Sequence, residues 1–347
     1  NYGTGTVSGD GTQVVPDPDP ANPGHLYGIS HFDWHFPLPL PANAKNPCPD
    51  PRCPNRGDPV DPSTGLFVLT KTDIAFGGVR GQLAIVRTYR TLTGNPGPFG
   101  IGTNHNYGYM LDTTNVRGGS SDLVRKGSID LVMPDGNHFP FSRQADGTFL
   151  NTTIPSVRGA VISNLTCIST IFGYGCGGTL KWKNGMIQQF QPVLGGQPWA
   201  AFLMSITDSN GNETTLARDP SFPNQITQVI DPVGRALSLT YDDSSRITSI
   251  TDAIGRTVQY TYNSQGTLAT VTDEAGGVTS YTYDSQNRLV SITDARNVTY
   301  LENTYDESGR VMKQDTADGG VMSFSYTPLN SQVSTTVTVS AAASAAS

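Results

Sequence analysis

The chain has 347 residues, with 22 lysines and arginines against 29 aspartates and glutamates, a formal net charge of −7 and a pI near 5.1. That balance leaves no basic face to neutralise phosphates, so nucleic acid is not an expected partner. No run of about twenty apolar residues occurs, so no membrane-spanning helix is expected. The 38 glycines, the 24 prolines and a charged fraction of only 15%, with no long helical periodicity, point to an all-β protein rich in turns.

Residues 1–56 are dense in proline and glycine, with Asp17-Pro-Asp19-Pro-Ala-Asn-Pro-Gly24 and a second cluster from Pro37 to Pro54. Proline removes ladder donors, so this part reads as an extended arm and not as sheet interior. Phe32, Trp34 and Phe36, with His31 and His35, are its expected anchor. His31, Asp33 and His35 on one strand face would be a workable divalent-metal geometry, but packing with hydrogen bonds is the simpler expectation, and no metal site is assigned. The start at Asn1, without methionine or hydrophobic leader, reads as a processed product or a fragment.

Residues 57–207 shift to alternation. Leu66–Leu69, Gln82–Val86 and Tyr107–Leu111 read as strands, and Pro134-Asp-Gly136, Ala145-Asp-Gly147 and Lys183-Asn-Gly185 as hairpin turns. Ser156–Gly178 is less regular, and the loop from Cys167 to Cys176 is expected on the surface. The four cysteines fall as two close pairs, Cys48 with Cys53 and Cys167 with Cys176. Two local disulfides are the expected arrangement, implying an extracellular or cell-surface setting; a four-thiolate zinc site is the alternative, though the spacings match neither a ribbon nor a knuckle.

Residues 208–330 are organised by a pattern recurring about every 21 residues, the mark of a repeat architecture. Tyr241, Tyr262, Tyr283, Tyr305 and Tyr326 end alternating runs, and Asp231, Asp252, Asp273, Asp294 and Asp315 lie between them at the same period. Turns such as Asn263-Ser-Gln-Gly266 and Asp252-Ala-Ile-Gly255 begin with an acceptor able to close an Asx-turn and end on a residue that tolerates positive φ. In the return runs the large apolar residues stand three apart, as in Ile247 and Ile250, Leu268 and Val271, or Leu289 and Ile292. Strict alternation would split them between two faces, so a bulge or strong twist is expected there. Asp208-Ser-Asn210-Gly-Asn212-Glu213 partly resembles a calcium loop with alternating oxygen ligands, but its glycine comes two positions early and no distal bidentate glutamate follows, so a plain turn is expected. The periodic aspartates are read as turn residues and not as acid/base pairs, and the tyrosines as a structural ladder. Residues 331–347 hold a last alternating run, Ser331–Ser340, and an Ala/Ser tail.

These Tyr-Asp hairpins resemble the YD repeats of RHS (rearrangement hotspot) proteins and teneurins. Gly57-Asp-Pro-Val-Asp-Pro-Ser-Thr-Gly65, Arg87-Thr-Tyr89 and Gly97-Pro-Phe-Gly-Ile-Gly102 followed by Asn106-Tyr107 resemble the segment that opens the RHS shell. The likeness covers roughly Asp58 to Tyr326, with Thr103 where the opening motif usually has tryptophan. It implies a continuous antiparallel β-hairpin ribbon curling into a partial shell or tube wall. Self-cleavage in the bacterial family is associated with aspartates in an Asp-Pro-x-Gly-Leu setting; Asp231-Pro-Val-Gly234 is followed by Arg235 and further repeats, so no catalytic residue is carried over. No nucleophile elbow, His-Glu-x-x-His helix or phosphate-binding glycine loop occurs, and no cofactor is expected.

A ribbon of roughly twenty strands falls short of a closed belt around a 100-residue guest, which needs about 27 at ~4.8 Å per strand. The expected function is therefore a non-enzymatic extracellular structural protein whose ribbon pairs with further copies of itself into a tube, filament or shell. The alternatives are a fragment of an RHS shell that encapsulates a C-terminal toxin domain, and an adhesion protein that binds cell-surface glycans.

Overall fold

The computed structural model describes residues 5–7, 14–16, 60, 65–78, 81–91, 94, 96–113, 127–170, 173–192, 200–329 and 332–340. Two compact units are formed, Asn1–Pro39 and Leu40–Ser347. In the first, β1 (Gly5–Val7) pairs antiparallel with β2 (Val14–Pro16). His31, Asp33, His35, Phe32, Trp34, Phe36, Asp17 and Asp19, and in the second unit Cys48 and Cys53, lie outside the described residues.

The second unit is built from antiparallel strands, with one turn of 3-10 helix at Pro155–Val157 among the described residues. It opens with β3 (Val68–Gly78), β4 (Gly81–Arg90), the two-residue strands β5 (Pro96–Gly97) and β6 (Gly100–Ile101), and β7 (Thr103–His105). β3, β4 and β7 form a three-stranded sheet with β4 central. β3 carries a bulge between Thr72 and Ile74, so Asp73 is an extra residue without a cross-strand partner in the register. A bulge re-aims the side chain it holds.

Eight strands follow: β8 (Met110–Asp112), β9 (Ser128–Val132), β10 (His138–Arg143), β11 (Phe149–Leu150), β12 (Val161–Thr170), β13 (Gly173–Lys181), β14 (Ile187–Pro192) and β15 (Ala200–Thr207). Each pairs with the next, and β15 returns to β8, closing a ring. Eight strands enclose an interior just wide enough for side chains to fill. Alternate residues such as Ile129, Leu131, Phe141, Phe149 and Ile162 are fully buried.

The far edge of β15 is shared. Ala200–Phe202 pair with β8, whereas Ser205–Thr207 pair with β16 (Glu213–Arg218). Between the two, the Leu203 carbonyl accepts from Nε and Nη2 of Arg218 at 3.2 and 2.8 Å, and the same guanidinium reaches Pro223 and Asn224 carbonyls. Arg218 thus satisfies the Leu203 carbonyl, which lies where the edge changes partner.

From β16 the chain is a meander: β17 (Ile226–Ile230), β18 (Ala236–Tyr241), β19 (Ile247–Thr251), β20 (Thr257–Tyr262), β21 (Leu268–Thr272), β22 (Val278–Tyr283), β23 (Leu289–Thr293), β24 (Thr299–Tyr305), β25 (Val311–Thr316), β26 (Val321–Leu329) and β27 (Gln332–Ser340). The expected bulge is present in each return strand. Tyr241 faces Ile247 while Thr240 faces Ser249, leaving Thr248 extra; Ala269, Val290 and Met312 are its equivalents. The bulge puts Ile247 and Ile250, both fully buried, on one face. The opposite face carries paired hydroxyls, including Thr261 with Thr270 and Thr282 with Ser291, each at 2.6 Å.

The turns share one geometry. The Gly234 N–H donates to Asp231 C=O at 3.0 Å and the Asp231 N–H to Arg235 C=O at 2.9 Å, with Gly234 at φ 86°. This is the hairpin in which a type I turn is followed by a left-handed residue. Ser245, Asn287 and Asn297 take that position at φ 62°, 60° and 61°.

The segment Ser156–Gly178, expected to be irregular, is instead largely the long hairpin β12–β13, with Cys167 and Cys176 paired across it and joined by a disulfide. Glycines at 173, 175, 177 and 178 suggest a loop, yet a Cβ at Gly177 would lie 2.3 Å from the Phe190 carbonyl. They permit close strand approach.

Gly255 has φ 88° and nothing within 4 Å of the place a Cβ would take, so only backbone conformation resists a side chain there. Gly255→Ala is expected to destabilise by about 1–2 kcal/mol. A denaturation midpoint that does not move would contradict this.

Candidate functional site

The three-stranded sheet lies on the apolar face of the meander, and the seam between them concentrates the chemistry of the molecule. Phe99 and Tyr260 rings are 4.8 Å apart and Tyr89 and Tyr283 rings 6.0 Å apart, edge-on. Rings in tilted or edge-on contact bury large apolar area with favourable quadrupole alignment.

At its centre is a buried ion pair. Arg87 donates from Nε and Nη2 to the two carboxylate oxygens of Asp73 at 2.8 and 3.0 Å, and both side chains are under 5% exposed. Tyr260 donates its hydroxyl to Asp73 Oδ2 at 3.0 Å, and Arg87 Nη2 donates to the Tyr281 hydroxyl at 3.0 Å. The Arg87 guanidinium also stands over the Tyr281 ring at 5.2 Å. Burial works against the Arg87 charge, but Asp73 and the two tyrosines outweigh it and raise its pKa well above the ordinary arginine value. Burial, reinforced by Asp73, raises Tyr260 likewise, so its proton stays in place as a donor.

Main-chain contacts line the rest of the seam. The Ile247 N–H donates to Pro98 C=O at 2.7 Å, the Ile101 N–H to Gly266 C=O at 3.1 Å and the Val311 N–H to Gly65 C=O at 2.9 Å. Tyr89 accepts from the Leu289 N–H at 2.9 Å and donates to Asn287 C=O at 3.3 Å. Burial pushes the Tyr89 hydroxyl up to about 12.

Three of the periodic tyrosines complete a clip. Asp242 accepts the N–H groups of Ser244 and Arg246 on one oxygen and Arg246 Nε on the other at 2.8 Å. Arg246 stands over the Tyr262 ring at 4.4 Å, and Tyr262 donates to the Ile247 carbonyl. Asp284, Arg288 and Tyr305 on Leu289, and Asp306, Arg310 and Tyr326 on Val311, repeat the arrangement. Tyr241 instead donates to Ile226 C=O and accepts from its N–H. The arginine four residues after the aspartate is a member that sequence reading missed, although its spacing was visible at Arg235, Arg246, Arg256, Arg288 and Arg310.

Asp231, Asp252, Asp273 and Asp294 each accept two N–H groups of their own turn. Asp315 does not. It lies in β25 opposite Val321, and Asp318 supplies the acceptor in a turn that starts at Thr316. A bulge between Ile292 and Thr293, with Tyr300 extra, lengthens that repeat by one residue and shifts the period. Asp208 accepts from the Asn210 and Asn212 N–H groups and the Asn212 amide, which engages the carboxylate within a plain turn. Among the described residues no group of three or more His, Cys, Asp or Glu could hold a metal ion.

His105 is buried at one end of the seam and accepts the Tyr107 N–H on Nδ1 at 3.2 Å. Burial, with help from Arg218, lowers its pKa to about 4.

A model of a domain of unknown function, DUF6531, matches residues 57–141, and a model of the RHS repeat matches 241–278 and 262–299. Against curated protein sequences no match is found. Solved structures give weak overlaps. A TcdB2-TccC3 crystal structure lacking its hypervariable C-terminal region is 13% identical over 62% of this chain, with TM-score 0.32. TcdB2-TccC3-Cdc42 is 13% identical over 75%, with TM-score 0.33, and a Photorhabdus luminescens Tc holotoxin pore 13% identical over 60%, with TM-score 0.28. The chain spans 14%, 16% and 14% of the length of those chains respectively.

Two outcomes are expected of variants here. Tyr262→Phe leaves the buried Ile247 carbonyl without its side-chain donor and costs about 1–3 kcal/mol in denaturant titration. His105 is neutral when folded and has a folded pKa below its unfolded value near 6.5, so the unfolded state binds more protons between those values. Stability is therefore full above pH 6.5 and falls as pH drops towards 4, by on the order of 3 kcal/mol. In His105→Gln that slope between pH 6.5 and 4 disappears; a slope that persists would place its origin elsewhere.

Proposed function

Because the chain belongs to the RHS/YD-repeat family, we propose that it is a length of non-enzymatic shell wall, which together with further repeats encloses a toxin domain carried by the same protein for export. The observation that carries this reading is the unbroken antiparallel ladder from β8 to β27, stiffened in three repeats by the Asp-Arg-Tyr clip. Such a wall works by shape. The Cys167–Cys176 disulfide suits an oxidising, extracellular destination, and no helix among the described residues is long and apolar enough to cross a membrane.

A second reading, self-assembly of separate copies into a tube or filament, is favoured by β27, which pairs only with β26 among the described residues and so offers a free edge. Light scattering and negative-stain electron microscopy separate the two. A chain that stays monomeric across a concentration series supports the wall segment, and fibres or rings support self-assembly. For the wall itself, limited proteolysis of the complete gene product is expected to spare the sequence downstream of the repeats until the shell is opened. Immediate cleavage of a folded downstream domain would refute enclosure.

A further inference from the structure

We propose that the buried Asp73–Arg87 pair is a register lock: with the hydroxyls of Tyr260 and Tyr281 it selects which repeats the opening sheet docks on. This holds whatever the wall encloses.

The main-chain contacts along the seam recur between repeats and select less sharply. On the meander side they are the N–H groups of Ile247, Leu289 and Val311 and the carbonyls of Gly266 and Asn287, which lie two residues before Leu268 and Leu289. Interior repeats offer the same groups about 21 residues on, as Leu268 does for Ile247 and Val311 for Leu289, whereas at the N-terminal end the Ile226 N–H is already held by the Tyr241 hydroxyl. One repeat is two strands, about 10 Å.

What differs between repeats is the covered residue two before each periodic tyrosine: Leu239, Tyr260, Tyr281, Asn303 and Phe324. Only two consecutive repeats supply tyrosine, and these two hold the ion pair. A slide towards the N-terminus puts Leu239 where Tyr260 donates to Asp73, leaving a buried carboxylate short of a donor. A slide the other way puts Asn303 where Tyr281 stands, and Arg87 loses the ring beneath it. Asn303 is also engaged by Gln314 across the strand at 2.9 Å. Losing one hydrogen bond to a buried charge disfavours a slid register about ten- to a hundred-fold. Buried polar groups are known to fix register in repetitive assemblies at no gain in stability.

Phe76 reports the register, because it lies 4.7 Å under Arg235. With photoreactive p-benzoylphenylalanine at position 76 of the full chain, the parent protein is expected to cross-link to the Asp231–Arg235 hairpin alone, read by mass spectrometry. In Y260F/Y281F and in D73L/R87M/Y260F/Y281F, the cross-link is expected to spread to the Asp252–Arg256 or Asp208–Asn212 hairpins, with the ratio of slid-register to native-register product rising about ten-fold or more. The fourfold variant strands no charge, so it should unfold cooperatively like the parent. A native-only cross-link in the folded fourfold variant overturns the proposal. So does failure of that variant to fold, since the pair would then hold the fold itself and not its register.

Discussion

A ladder that bulges once per repeat leaves a main-chain N–H and C=O at the same place in every repeat, and burying such groups unpaired would cost about 1–3 kcal/mol each. Most of the molecule answers to that constraint. The Ile247, Leu289 and Val311 carbonyls are met from within the meander, by Tyr262, Tyr305 and Tyr326. Their N–H groups are met from outside it, by Pro98, Tyr89 and Gly65. The tyrosines and the opening sheet are therefore complementary halves of one solution. The periodic hairpins and the segment before them pack as one structure, though their sequence signatures are separate.

The two faces of the meander consequently differ. One is apolar and occupied by the chain's own three-stranded sheet, so in this stretch it does not line an empty space. The other carries hydroxyls bonded to one another across strands, such as Thr251 with Thr257 and Thr293 with Thr299 at 2.9 Å. Clips along the rims use ion pairs that are partly exposed, such as Arg246 with Asp242 and Arg310 with Asp306, whose own contribution to stability is small. Their value is geometric: each holds a guanidinium flat against the next tyrosine.

What could be read from the sequence was local. Turn chemistry, the 21-residue period and the bulge between Ile247 and Ile250 each follow from residues a few positions apart. Asp315 marks the limit of that method, because one inserted residue at Tyr300 leaves the period looking intact while moving the turn to Thr316. The β12–β13 hairpin was hidden for a different reason: glycine-rich strands carry no alternation to detect. The return of β15 to β8, and the meeting of Asp73 and Arg87 with tyrosines 187 and 194 residues away, depend on closure and stacking that no local pattern encodes. Arg87 and Tyr89 stood out as part of a motif, but only their place on the seam shows that they are docking groups.

The fork in β15 sets how such a structure yields to tension. A meander pulled by its last strand is loaded hairpin by hairpin, so hydrogen bonds part a few at a time and the strip peels like a torn seam. At β15 the geometry changes, because that strand is gripped along both edges by β14, β8 and β16, with the Arg218 guanidinium bridging the join. Force arriving there must shear several ladders at once, which makes the ring the anchor from which the rest can unravel.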